Sequence, residues 1–194
     1  MIGVDIVDLR EARGRSDWRR KGYLSKLFSE KEIQYIEQSK DPDIAVWRLW
    51  SMKESAYKAD FYYSRKRIFN PVKFNCHIQS DVEGKVNIVS RQYTTYTRTA
   101  KEYITTSASG NAIRGRCKSF RVPDKTDLSI SEFTYSELKK EIASAYNKCP
   151  GEIGIHKTNQ GVPEVFFHGH KTDILCSTSH HGKYGSVLFD YFGN

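Results

Sequence analysis

The sequence predicts an α+β fold in which antiparallel sheets pack against helices. Two observations carry that expectation. Helical patterning with recognisable start signals is confined to two stretches, about 29–60 and 135–149. Segments rich in Val, Ile, Thr and Tyr, separated by Gly and Pro turns, fill much of the remainder. The two kinds occur in blocks, helices then sheet then helix then sheet, rather than alternating as βαβ units.

In chain order, IGVDIV (2–7) reads as a buried strand. REARGRSDWRRKG (10–22) reads as a basic loop or broken helix. In FSEKEIQYIEQ, Ser29 followed by Glu32 has the spacing of a capping box and opens a helix. Asp41-Pro42 begins the longest one, PDIAVWRLWSMKESAYKAD, with Pro in the first turn where its missing N–H does no harm. VKFNCHI, KVNIVS, QYTTYTRT and EYITTSAS read as antiparallel strands, with a turn at Glu83-Gly84. VPDKTDLS (122–129) reads as a linker. YSELKKEIASAYNKC places Leu138, Ile142, Ala145 and Tyr146 on one stripe and reads as a helix. EIGIHK, PEVFFH, DILCSTS and YGSVLFDYF read as short strands. A length of 194 residues suits one domain, 1–194, with two pseudo-repeated halves (about 1–122 and 123–194) as the open alternative.

The formal net charge is +8, which favours an anionic partner: nucleic acid, a phosphorylated small molecule or an acidic protein. The four cysteines form no CxxC pair, which argues against a zinc ribbon and against a secreted disulfide framework. No signal-peptide pattern and no membrane-length apolar run is present, so the expectation is a cytoplasmic protein with no membrane partner.

Three constellations could carry chemistry. Asp5 lies inside the apolar run Gly3-Val4-Asp5-Ile6-Val7-Asp8, where an unpaired buried carboxylate would be costly. It is either a solvated residue on an edge strand or a metal ligand held on a rigid one. In WSMKESAYKAD (50–60), Trp50, Lys53, Glu54 and Tyr57 follow i, i+3, i+4, i+7, and Lys58 sits four after Glu54. An exposed Glu54–Lys58 pair, worth about 0.3–0.5 kcal/mol, explains those two charges alone. Asp5 and Glu54 could instead supply the one or two carboxylates that Mg²⁺ commonly takes beside substrate phosphates. Ser177-Thr178-Ser179-His180-His181-Gly182 is a polar turn, a transition-metal site with His168 and His170, or a phosphate cradle.

In order, these motifs resemble the 4′-phosphopantetheinyl transferase superfamily. Gly3-Val4-Asp5 matches its G-[IV]-D, Trp50 to Lys58 its [WF]-x-x-K-E-[AS]-x-x-K, and Ser179-His180 its S-H pair. FSEKE (28–32) is similar to the family's F-[ST]-x-x-E, and Gly161-Val162-Pro163 to its G-K-P turn. The S-H pair follows the K-E helix, as in the short, trimeric holo-acyl-carrier-protein synthases, while the extra length resembles the larger type. Asp8 matches an acid of the short type. Val162 stands where the family often has a phosphate-binding lysine, leaving Lys157 or Lys171 to supply that contact.

The resemblance implies Mg²⁺-dependent transfer of 4′-phosphopantetheine from coenzyme A to a serine of an apo acyl or peptidyl carrier protein, releasing 3′,5′-ADP. It implies Asp5 and Glu54 as metal ligands, Glu54 and Lys58 as catalytic groups, and Lys53, Ser179 and His180 as coenzyme A contacts. Arg10 and Arg13 flank the short type's docking arginine and are the candidates for meeting the acidic carrier. Fatty-acid synthesis is the pathway of the short type, and a homotrimer its assembly. Two rival readings stay open: a basic nucleic-acid-binding module stacking bases on the Tyr-rich strands, and a superfamily member that binds coenzyme A or carriers without chemistry.

Overall fold

The computed structural model describes residues 1–64, 68–110 and 115–190. Five strands, β1 (Ile2–Asp8), β2 (Phe74–Ile78), β3 (Glu83–Ile88), β4 (Arg91–Thr99) and β5 (Tyr103–Ser109), form an antiparallel sheet in the order β1-β5-β4-β3-β2. Helices α1 (Leu9–Arg15), α2 (Tyr23–Leu27), α3 (Glu30–Gln38) and α4 (Pro42–Ser64) accompany it. Strand β6 (Gly115–Arg121) leads to α5 (Ile130–Tyr146) and to β7 (Ile153–Lys157), β8 (Pro163–Phe167), β9 (His170–Lys171), β10 (Cys176–His181) and β11 (Tyr184–Asp190). These build two three-stranded sheets, β10-β11-β6 and β7-β8-β9. The α+β expectation holds. Among the described residues no helix is long and apolar enough to cross a membrane.

α4 is buried on most of its circumference because the first sheet and α3 cover it. Val46, Leu49, Met52, Ala56 and Ala59 join Val7, Val86, Tyr93 and Ile104 in one core. Its close packing on β1 rests on Gly3, where a Cβ would run into the Ser55 carbonyl oxygen and the Ala59 backbone nitrogen. A second core gathers Leu138, Ile142, Val165, Val187 and Phe189 under α5. Ile2 and Val4 of β1 pack on Leu188 of β11 and link the two.

Several local expectations need correction. The turn expected at Glu83-Gly84 falls earlier, where Gln79 and Ser80 N–H groups bond the Glu83 carbonyl, and Glu83 already opens β3. The stretch after Asp8 is helical as far as Arg15, because the Asp8 carboxylate accepts from the Arg10 and Glu11 N–H groups. The helix expected over 135–149 begins at Ile130, capped by a box between Ser129 and Glu132. β6 is an edge strand with little apolar alternation, which hid it from a pattern search, and it joins β11 in the second sheet. β5 thus belongs to the first sheet and β6 to the second. Of the tyrosines on β4, Tyr93 is 1% exposed and its hydroxyl donates to Asp60 at 2.9 Å, so it is not available for stacking, whereas Tyr96 is exposed.

β1 forms a backbone ladder only with β5, so the Val4, Ile6 and Asp8 N–H groups face away from any paired strand. Side chains of β10 meet all three. Val4 donates to Ser177 Oγ at 3.1 Å, Ile6 to Ser179 Oγ at 3.4 Å and Asp8 to His181 Nδ1 at 2.9 Å. Removing a partner leaves a buried donor unsatisfied, so Ser177→Ala should lower the unfolding free energy by about 1–3 kcal/mol in a urea titration.

Candidate active site

Three distant stretches of the chain meet at Lys58. Its Nζ donates to the Val4 carbonyl at 2.9 Å, to Asp5 Oδ1 at 3.1 Å and to Ser179 Oγ at 3.0 Å. Ser179 Oγ in turn donates to Asp5 Oδ1 at 3.0 Å. Asp5 is 7% exposed, so the reading of a solvated edge residue fails, although β1 is an edge strand. Asp5 Oδ2 is buried and has no hydrogen-bond partner.

Glu54 stands one turn before Lys58 on α4 and is half-buried. Burial, then the negative charge of Asp5, raises its carboxyl to about 7, against the opposing pull of Lys58. The wet-surface ion pair is therefore the wrong picture for Glu54. Asp5, Glu54, Lys58, Ser179 and His180 all line one cavity of about 420 Å³, whose walls include Trp47 and Trp50. Partial burial, then the charges of Lys58, Lys157 and His181, lowers the His180 pKa. A second cavity of about 440 Å³ adjoins it through Lys58 and is lined by Tyr57, Tyr135, Lys157, Val162 and Ser177.

Lys53 is not in this group. It is fully buried, with Nζ 2.8 Å from Glu32 Oε2 and 2.9 Å from the Pro71 carbonyl. Successive helical residues point about 100° apart, so α4 sends Lys53 towards α3 and Glu54 towards β1. The expected phosphate contact of Lys53 is corrected to a structural ion pair. Glu32, the acid of FSEKE, also accepts from Ser29 N at 2.7 Å and Cys76 N at 2.8 Å, which fixes the start of α3 against β2. Asp8 has both oxygens engaged, Oδ1 by the α1 cap and Oδ2 by the Lys183 N–H at 3.0 Å. Although burial pushes its carboxyl up, the N–H groups of Lys183, Glu11 and Arg10 hold it below its usual value. Gly182, at φ 55°, makes that turn possible, since a Cβ there would strike the Asp8 carboxyl.

Arg10 and Arg13 are exposed on α1, whose Ala12 lines the 420 Å³ cavity. Lys157 lines the second cavity next to Val162, its Nζ 4.9 Å from the Tyr135 ring centroid. Lys171 is held by Glu164 at 2.6 Å and lines neither of these two cavities. Sequence reasoning missed Ser177 and His181 as the residues that hold β1 in place. Their signal was available: in STSHH, positions 177, 179 and 181 share one face of a strand, and all three can accept hydrogen bonds.

The donor set fits a hard divalent cation. Two carboxylates line one cavity, one oxygen lacks a partner, and Glu54 resists ionisation because it is largely buried and Asp5 is close by. Among the described residues no cluster of three or more His, Cys, Asp or Glu side chains assembles, and His168 pairs with Glu152 at 2.9 Å. A transition-metal site built from the histidines therefore has no support in the geometry.

A family model described as the 4′-phosphopantetheinyl transferase superfamily matches residues 1–113. The chain belongs to that superfamily. The match covers Asp5, Glu54 and Lys58 and stops before Ser179. Phosphopantetheinyl transferases take their donor group from coenzyme A and place it on carrier proteins, and most use a divalent metal. A comparison with curated proteins found no match.

The raised Glu54 carboxyl sets a pH dependence for the metal-free transferase. A group held protonated in the folded chain adds no instability below its ordinary value, 4.5, and destabilises as it ionises up to about 7. Thermal melts in chelator should therefore show wild type losing stability relative to Glu54→Gln as the pH rises from about 4.5 to 7. Parallel profiles for the two proteins would contradict the assigned environment.

Proposed function

We propose that this chain is a holo-acyl-carrier-protein synthase type of phosphopantetheinyl transferase, moving 4′-phosphopantetheine from coenzyme A to a serine of an acidic apo carrier. The observation that carries this reading is the meeting of Asp5, Lys58 and Ser179 in one hydrogen-bonded group, with Glu54 lining the same cavity.

Asp5 and Glu54 are the proposed ligands of Mg²⁺. The ion, when bound, would offset the charge of the pyrophosphate and of the leaving phosphate. The serine hydroxyl attacks the phosphorus that carries the pantetheine arm, and the bond to 3′,5′-ADP breaks. Glu54 is placed to receive the serine proton, directly or through a water. Lys58 screens the departing phosphate, and its bonds to Val4, Asp5 and Ser179 hold the ammonium still while it does so. His180 and Lys157 border the two cavities and suit the phosphates of coenzyme A, Lys157 standing in for the lysine that Val162 replaces. Burial, then the charges of Lys58, Lys157 and His181, lowers the His180 pKa, and an anion bound beside it would oppose those charges. Arg10 and Arg13 would meet the acidic carrier, and the +8 charge would speed the encounter.

The decisive assay incubates the protein with Mg²⁺, coenzyme A and an apo acyl carrier protein of fatty-acid synthesis and reads the carrier's mass. Wild type should add one phosphopantetheine. Glu54→Gln, which keeps volume and removes charge, should lower transfer by at least about a hundredfold while melting as a folded protein. A folded Glu54→Gln with near-normal transfer would remove Glu54 from the chemistry.

Because Asp5, Lys58 and Ser179 of one chain bond one another, we take the site to be closed by the two halves of a single chain. A homotrimer is then not needed for activity. Light scattering coupled to the assay should find transfer in a species of about the monomer mass, 22.4 kDa; activity found only in a trimer would reject that closure.

A further inference from the structure

Lys157, the last residue of β7, is exposed and lines the second cavity. Other lysines near the site are tied down, Lys58 by three hydrogen bonds and Lys171 by Glu164. Among the described residues no carboxylate pairs with Lys157. Its ammonium meets a ring instead, with Nζ 4.9 Å from the Tyr135 centroid, and Tyr135 lines the same cavity.

That ring is a fixed surface. Tyr135 stands about one turn before Leu138 and two before Ile142 on α5, and it packs against the second core with them. A lysine ammonium rides on a flexible four-carbon stem. The face of an aromatic ring attracts it without cancelling its charge, as a carboxylate would. The Lys157 charge also reaches His180, where it adds to burial and to Lys58 in lowering the pKa. Lys58 lines both cavities and bonds Asp5, whereas Lys157 lines only the second of the two. A cation held there, unneutralised, suits a phosphate away from the reacting one. Both Tyr135 and Lys157 lie beyond residue 113, where the family match ends.

We infer that the Tyr135 ring holds the Lys157 ammonium in the second cavity to receive a phosphate of coenzyme A. Tyr135 is then a positioning residue for the donor substrate and acts through Lys157. The inference rests on the transferase reading and deepens it.

The test is calorimetric binding of coenzyme A without carrier. Lys157→Met should raise the Kd about tenfold or more, the loss of one hydrogen bond to a charged group. Tyr135→Leu and Tyr135→Met remove the ring, keep an apolar side chain on the core, and should raise it about two- to fivefold. Tyr135→Phe keeps the ring and should keep the wild-type Kd. The deciding readout is a double variant that joins Lys157→Met to whichever ringless variant melts as a folded protein. It should bind no more weakly than Lys157→Met alone, because the ring acts only through the lysine. Losses that add overturn the inference, as does a Kd unchanged in the ringless variants. An unchanged Kd in Lys157→Met overturns it without any change at Tyr135. If wild type binds coenzyme A and loads the carrier while the losses add, this inference fails alone. If wild type binds no coenzyme A, the transferase reading fails and the inference falls with it.

Discussion

The outer edge of β1 is closed by side chains, not by a second backbone ladder. Ser177, Ser179 and His181 take the Val4, Ile6 and Asp8 N–H groups, which face away from β5, each at the same offset along the chain. A buried strand edge with unpaired donors would be costly, so this contact both joins the two halves and fixes their register. The site depends on that register. Ser179 receives the Ile6 N–H and spends its own proton on Asp5, so the hydroxyl that seals the seam also orients the carboxylate. Lys58 then reaches across both strands from α4. A shift of β10 by one residue would turn Ser179 away and break the group apart.

α4 contributes by separating neighbours. Lys53 and Glu54 are adjacent in sequence, yet one is buried in an ion pair with Glu32 and the other borders the cavity. The buried pair is well supplied with partners, since Glu32 accepts from Ser29, Lys53 and Cys76. Breaking such a pair strands a charge in the interior. That explains why a lysine and a glutamate so far apart in the chain belong to one structural unit while looking like catalytic residues. Glu54 is left with a carboxyl raised by burial and by the charge of Asp5.

Much of the fold could be read from local pattern. The α3 capping box and the Pro42 start of α4 are where turn chemistry puts them, and four strands follow residue 71 as alternation predicts, although the turn before the second of them falls ahead of Glu83. The failures share a cause. β6 pairs on one side only and has little apolar alternation, so nothing local announces it. α1 begins on Asp8, which also ends β1, and a residue serving two elements belongs to neither pattern. The functional residues Ser177 and His181 look like ordinary turn polarity until their strand partner is known.

The sequence by itself, through its resemblance to the superfamily, pointed to Asp5, Glu54, Lys58 and Ser179-His180 as one group. It also marked Val162 as a departure from the superfamily's G-K-P turn. Only the tertiary structure decided which charges are neighbours. It sent Lys53 to Glu32, put Lys157 with Val162 in the cavity that adjoins Lys58, and left the Trp47 indole N–H buried without a partner. The reason is physical: the energy of a charge or a donor depends on what lies within a few ångströms of it, and those neighbours come from other parts of the chain, 21 residues away for Lys53 and Glu32 and 121 for Lys58 and Ser179.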